Sequence, residues 1–298
     1  MSTTFNTKYP IMCAPMNGVS EHKLAIAVAN AGCLPSLVPY THYFKETADT
    51  FWTMFEQDLI EFRKVHPDYP VVVAVDLAEF VADFFLDLCV KYKISHIEIL
   101  NIDYDPAEKV IERIKVARAN GTVAVFKVLD IESLDEIVGK YGEIDCVTVK
   151  GPNGAGRHHG IDLVDEIKKI KEKYPKLSVV ASGGINTSDD VKYFIDLGVD
   201  GVCIGTVFTA SEEAKISEAT KQKIIEASSS DLTRLTTGAA QQALVFSKVH
   251  ELDYNNSKGN KLGIRTGTTG HIFLGSGVDV ANKIRPVKDI VSDLVEKL

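Results

Sequence analysis

Reactive residue types gather around three glycine-bearing stretches. Residues 150–160, Lys-Gly-Pro-Asn-Gly-Ala-Gly-Arg-His-His-Gly, combine four glycines, two cations (Lys150 and Arg157) and two adjacent imidazoles. A loop of this kind contributes little to a core and is costly to order, so function is the expected reason for it. Histidine titrates near neutrality and can move a proton at physiological pH. Adjacent side chains point in different directions, so one of His158 and His159 is expected to face a ligand as base or acid. Ala181-Ser182-Gly183-Gly184-Ile185-Asn186 and Gly205-Thr206 each follow directly on a short apolar run. Bare glycine amides and a following helix N-terminus suit a phosphate.

Other residues are weighed against ordinary structural roles. Ala14-Pro15-Met16-Asn17-Gly18 reads as a sharp strand-to-helix turn, with Ser20 starting the helix. Asp76 and Lys127 stand near strand ends, where they either face a ligand or form a structural ion pair. Ser188 with Asp189 and Asp190 reads as a cap and acidic first turn. No metal is expected: the two histidines lack the i, i+4 spacing of H-E-x-x-H, and no carboxylate cluster accompanies them. Gly275-Ser276-Gly277 resembles half a dinucleotide fingerprint, but Val280 occupies the third glycine position and no clear strand precedes it, so a Rossmann domain is rejected. Neither G-x-x-x-x-G-K-[ST] nor G-x-S-x-G occurs, which disfavours kinase, NTPase and serine-hydrolase chemistry.

These stretches need a scaffold that brings strand ends together. Eight β-rich apolar runs, at 11–14, 34–38, 71–75, 94–99, 123–128, 146–149, 179–181 and 202–204, alternate with helical periodicities. Examples are Phe51, Met54, Phe55, Leu59, Phe62 and Leu163, Val164, Ile167, Ile170. Eight such units predict an α/β fold, a (β/α)8 TIM barrel, whose chemistry sits at the C-terminal strand ends, with phosphate between the loops after strands seven and eight. The barrel is expected over 1–230, with 212–228 as its last helix. A C-terminal elaboration over 231–298 is expected to pack on it, including a Gly/Thr/Asn-rich stretch at 254–277 and a closing helix that buries Val287, Ile290, Val291, Leu294 and Val295.

Composition agrees. Of 298 residues, 45% are hydrophobic and 25% charged, ordinary for a globular chain. Thirty-three basic against forty-one acidic residues leave a net charge of −8, which repels nucleic-acid backbones. Residues 1–10 lack a signal-peptide pattern, and Asp76, Glu79, Asp83 and Asp87 interrupt the most apolar stretch, so no membrane association and a soluble, cytoplasmic protein are expected. Five dispersed cysteines, with no C-x-x-C pair, read as buried thiols.

Across nearly its whole length the chain resembles the FMN-dependent nitronate monooxygenases (2-nitropropane dioxygenases) and the related flavin-dependent enoyl-ACP reductases. The resemblance rests on residues 10–16 (PIMCAPM), 155–160 (AGRHHG), 181–185 (ASGGI), 198–201 (GVDG), 204–208 (IGTVF) and 275–278 (GSGV), in that order. It implies that Gly183, Gly184, Gly205 and Thr206 hold the FMN phosphate and that Ala14, Pro15 and Met16 lie against the ring. Gly156, Asp76 and Lys127 become flavin neighbours, with Lys127 offsetting the Asp76 charge. His158 matches the active-site histidine of the A-G-G-H-x-G motif, as base or as orienting group, and His159 falls at the variable position. Arg157 departs from the motif's second glycine, and Arg157 or protonated His158 would attract a small anionic substrate. The implied reaction oxidises an alkyl nitronate with O2 to a carbonyl compound and nitrite. Three alternatives are set beside it: an NAD(P)H-dependent enoyl-thioester reductase, a non-catalytic FMN or phosphate-binding barrel, and an IMP-dehydrogenase-like barrel, for which 151–160 lacks the needed cysteine. A homodimer is left open.

Overall fold

The structure, a computed structural model, describes residues 4–39, 48–75, 79–99, 107–158, 160–237, 239–246 and 263–298. Eight parallel strands form the centre: β1 (Ile11–Cys13), β2 (Ser36–Leu37), β3 (Val72–Val75), β4 (His96–Ile99), β5 (Val123–Val128), β6 (Cys146–Lys150), β8 (Ser178–Ser182) and β9 (Gly201–Ile204). They correspond to the eight predicted runs. The sheet runs β1-β9-β8-β6-β5-β4-β3-β2 and closes on itself where Met12 bridges Leu34. There the Leu34 amide donates to Ile11 O at 2.8 Å and the Cys13 amide to Leu34 O at 2.9 Å. The fold is a TIM barrel.

Helices α1 (His22–Asn30), α2 (Ala48–Val65), α3 (Glu79–Lys91), α4 (Ala107–Ala119), α5 (Ile131–Tyr141), α6 (Leu163–Lys173) and α7 (Ser188–Asp196) lie between the strands. Each turns one apolar stripe to the sheet, as when α2 buries Phe55, Leu59 and Phe62. Their starts are set by side-chain oxygens that satisfy otherwise orphaned amides. Asp130 accepts from the Ser133 amide before α5, and Asp162 accepts from the Val164 and Asp165 amides before α6. At α7 the cap is Thr187, in a capping box with Asp190, not Ser188 as the sequence suggested.

Ser20 also departs from expectation. The residue flanking α1 is Glu21, with no side-chain cap. Ser20 instead accepts from the Met16 amide at 3.0 Å and shares a hydrogen bond with Ser36 at 3.1 Å, while Ser36 donates to Ala14 O at 3.1 Å. Two buried hydroxyls thus clamp the loop after β1, a role that helix-start statistics do not reveal.

Inside the barrel, strand alternation sorts residues by height. Phe5 plugs the N-terminal end, edge-on to His96 with ring centroids 6.0 Å apart. Met12, Leu34, Val72, Val125, Cys146, Val180 and Cys203 pack with it. Toward the C-terminal ends the inward positions become polar: Glu98, Lys127, Thr148, Lys150 and Ser182. All five cysteines are free and buried.

Past the short helix α8 (Thr206–Thr209) and α9 (Glu218–Glu226), the chain adds β10 (Leu232–Thr237), β11 (Ala239–Val245), β12 (His271–Phe273) and α10 (Val287–Leu294). The closing helix buries Val287, Ile290, Val291 and Leu294. The antiparallel sheet was not anticipated, and it recruits β7 (Gly156–His158), read from sequence as loop. Pairing of His158 with Ala240, Arg157 with Gln241 and Gly156 with Gln242 satisfies backbone groups that a glycine-rich loop would leave to water.

Replacing Ser20 with alanine removes the acceptor for the Met16 amide and takes from the Ser36 hydroxyl one of its two partners, leaving it Ala14 O. Urea unfolding is expected to show a loss of about 1–3 kcal/mol.

Candidate active site

The site is a cavity at the C-terminal end of the barrel, of about 1030 Å³ counting its open mouth. Ala14, Pro15 and Met16 line one side; Gly183, Gly184, Gly205 and Thr206 line another; Lys127 and Gly156 complete the sequence-predicted members found there. Asp76 and His159 lie outside the described residues. For Arg157 and His158 the backbone is described, held in β7 against β11 at the edge of this region.

Glycine is required by geometry here. Gly183 and Gly184 have φ of 97° and 84°, which side chains with a Cβ rarely adopt. A Cβ on Gly183 would lie 2.8 Å from Gly151 O, and one on Gly184 2.8 Å from Asn153 Cβ. The loop after β8 thus packs backbone to backbone on the loop after β6, and the Gly151 amide donates to Ser182 O at 2.8 Å. Gly205 brings the end of β9 against β1: a Cβ there would stand 3.3 Å from Ala14 Cβ and 3.5 Å from Met16 Sδ. The Ala14 amide donates to Ile204 O at 2.8 Å.

Gly275-Ser276-Gly277 turns out to be part of this mouth. Strand β12 does precede it, contrary to the sequence reading, but a 3-10 turn over Ser276–Asp279 follows in place of the helix a dinucleotide fold needs. The Gly275 amide donates to Thr206 Oγ1 at 2.9 Å, the Ser276 amide to Asn153 O at 3.0 Å, and Asn186 Nδ2 to Ser276 Oγ at 3.1 Å. Ile272, Phe273 and Gly277 line the cavity. Gly277 belongs to the 275–278 stretch quoted for the family resemblance, but no local motif announces Ile272 and Phe273. Their place depends on a fold-back across more than sixty residues.

The floor is charged. Lys127 Nζ donates to Glu98 Oε2 at 2.8 Å; Glu98 is fully buried, while 26% of the Lys127 side chain stays open. Burial opposes charge on Lys127, but the Glu98 carboxylate outweighs it and the ammonium pKa lies above its ordinary value. Lys127 is therefore both ion-paired and cavity-lining, and among the described residues Glu98 is its ion-pair partner. Lys150 also lines the cavity, its ammonium donating to Ala155 O. Sequence reading placed Lys150 only in the loop and missed Glu98; alternation from Cys146 and from His96 would have turned both inward. Cys203 reaches the cavity as a neutral thiol, its pKa pushed up to about 12 by burial and by the Glu98 charge.

These features fit a phosphorylated flavin. Among the described residues, the amides of Gly183, Gly184 and Gly205 make no backbone hydrogen bond, and all three residues line the cavity. The Ala14–Met16 segment offers an apolar wall, and Lys127 and Lys150 offer positive charge. No group of three or more His, Cys, Asp or Glu side chains suited to a metal ion occurs among the described residues, and no described helix is long and apolar enough to cross a membrane.

Comparison with known proteins points the same way. A family model described as nitronate monooxygenase matches residues 73–297. The chain is 28% identical over 268 residues to a probable nitronate monooxygenase of Bacillus subtilis, covering 78% of this chain and 74% of that protein. Its fold is similar to FabK from Thermotoga maritima, with TM-score 0.80, 23% identity and coverage of 99% and 94%. It is also similar to a nitroalkane oxidase from Streptomyces ansochromogenes, with TM-score 0.77, 20% identity and coverage of 100% and 98%.

Gly183→Ala combines a left-handed backbone with a clash against Gly151 O. It is expected to cost more than about 1 kcal/mol, read as a lower urea midpoint than that of an alanine variant at the uncrowded Gly139.

Proposed function

The chain belongs to the nitronate monooxygenase family and is a flavin-dependent oxidoreductase, and we propose that its flavin is FMN and its reaction the oxidation of alkyl nitronates with O2 to carbonyl compounds and nitrite. The observation that carries this reading is the convergence of three glycine-bearing turns, after β6, β8 and β9, on one cavity with cationic side chains on its floor. In it, Gly183, Gly184, Gly205 and Thr206 hold the phosphate by backbone amides, and Ala14, Pro15 and Met16 support the ring face. Bound FMN supplies the electron transfer and the reaction with O2.

The chain's own contribution is position and charge. Lys127 and Lys150 make the cavity floor favourable to negative charge, whether on a nitronate or on the ring. Strand β7 fixes the backbone of Arg157 and His158 through its ladder with β11, so the residues proposed to attract the anion and to move or orient its proton sit on an ordered element. Ile272 and Phe273, delivered by β12 beside β7, add apolar surface that excludes water and strengthens those interactions.

The test is nitrite release from a small alkyl nitronate in air by the FMN-loaded protein. His158→Ala is expected to retain flavin and lose turnover by about 10² or more. Undiminished turnover would refute the role of His158. Rapid anaerobic bleaching by NADPH, with no nitrite from nitronates, would replace the proposed reaction with that of a reductase.

A further inference from the structure

Glu98 is a carboxylate in the wrong place for a purely structural ion pair. It sits in the middle of a central barrel strand, β4, with no exposure. Its inward neighbours at the same end of the barrel are Lys127, Thr148 and Cys203. Burying an ion pair in a barrel core costs several kcal/mol per ion before the partners' attraction repays it, and apolar residues of similar volume fill such space at least as well. The pairing is also incomplete. Glu98 Oε2 accepts from Lys127 at 2.8 Å, but Oε1 is buried with no hydrogen-bond partner among the described residues, as is Thr148 Oγ1 beside Lys127 in the β5–β6 register. A group left so costly calls for an explanation beyond packing.

Its position supplies one. Lys127 faces the cavity on one side and Glu98 on the other, while Glu98 itself does not reach the cavity wall. A lone Lys127 would give the cavity floor a full positive charge in a water-poor setting. The carboxylate at 2.8 Å turns that charge into a short dipole whose field falls off faster with distance. Any group resting on the floor therefore experiences a positive potential that Glu98 sets through Lys127.

We propose that Glu98 is a charge-setting residue of the flavin site: by offsetting Lys127 from behind, it limits how strongly the protein stabilises negative charge on the ring and so holds the flavin's reduction potential down. This rests on the reading that FMN occupies the cavity. Cofactor electronics respond to charges near the ring, and Glu98 is the acid that pairs with Lys127, a cation lining the cavity floor.

Glu98→Gln tests it, because the amide oxygen can still accept from Lys127 while the charge is gone. In FMN-loaded protein, the midpoint potential of the flavin is expected to rise. Sulfite, which adds reversibly to oxidised flavin and leaves negative charge on the ring, is expected to bind about tenfold more tightly. Glu98→Asp, which keeps the charge but retracts it, should move both in the same direction by less, and it serves if the glutamine variant does not fold. Lys127→Met should shift the potential and sulfite affinity the opposite way. FMN bound with unchanged potential and sulfite affinity in the Glu98 variants, or a fall in both, overturns the proposal. A wild-type protein that takes up no FMN overturns the cofactor reading itself and this proposal with it.

Discussion

At the C-terminal end of this barrel the backbone must be bare. Gly183 and Gly151 approach so closely that no Cβ fits between their loops, Gly205 lies against Ala14 and Met16, and Gly277 has Asn186 Oδ1 and Thr206 Cβ within 2.8 Å of where its own Cβ would stand. Those contacts knit five segments remote in sequence into one wall, and Gly183, Gly205 and Gly277 in it line the cavity. Everything proposed for the site follows from this constraint: the phosphate seat, the location of the ring beside residues 14–16, and the charged floor beneath.

The barrel was readable because parallel strands covered on both faces become short runs of apolar residues, and eight such runs alternating with amphipathic stripes admit few other architectures. The same rule contains a finer signal. In strands that should be apolar throughout, the polar residues Glu98, Lys127, Thr148 and Lys150 fall two apart along the inward positions of β4, β5 and β6, and they mark the end of the barrel that faces a ligand. Of these, sequence patterning marks Lys127 as a strand-end residue and Lys150 only as a cation of the following loop. Helix starts were less clear: Thr187 and Asp190 carry the capping-box spacing, but the adjacent Ser188 offers the same chemistry one residue later. Ser20, a natural cap type, is diverted to clamp the loop after β1.

What sequence could not supply was long-range pairing. Strand β11 joins β7, the segment with Arg157 and His158, to β12, the segment with Ile272 and Phe273, along one edge. The thread from 156 to 273 has no local signature: a glycine-rich stretch looks like a loop until a partner strand satisfies its backbone groups. The C-terminal sheet is therefore part of the site's construction. It orders the histidine segment and walls the cavity at once, which gives a physical reason for a chain that continues well past its eighth barrel strand.

The central claim is that glycine amides seat a phosphate and thereby the flavin. Its most direct test is titration of the flavin-free protein with FMN and with riboflavin, the same ring and ribityl chain without phosphate, followed by quenching of flavin fluorescence. Several charge-assisted hydrogen bonds to the phosphate, each worth about 1.5–3 kcal/mol, predict FMN binding tighter than riboflavin by about 10² or more. Equal affinity for the two would contradict the account, because the glycine wall would then have no part in holding the cofactor.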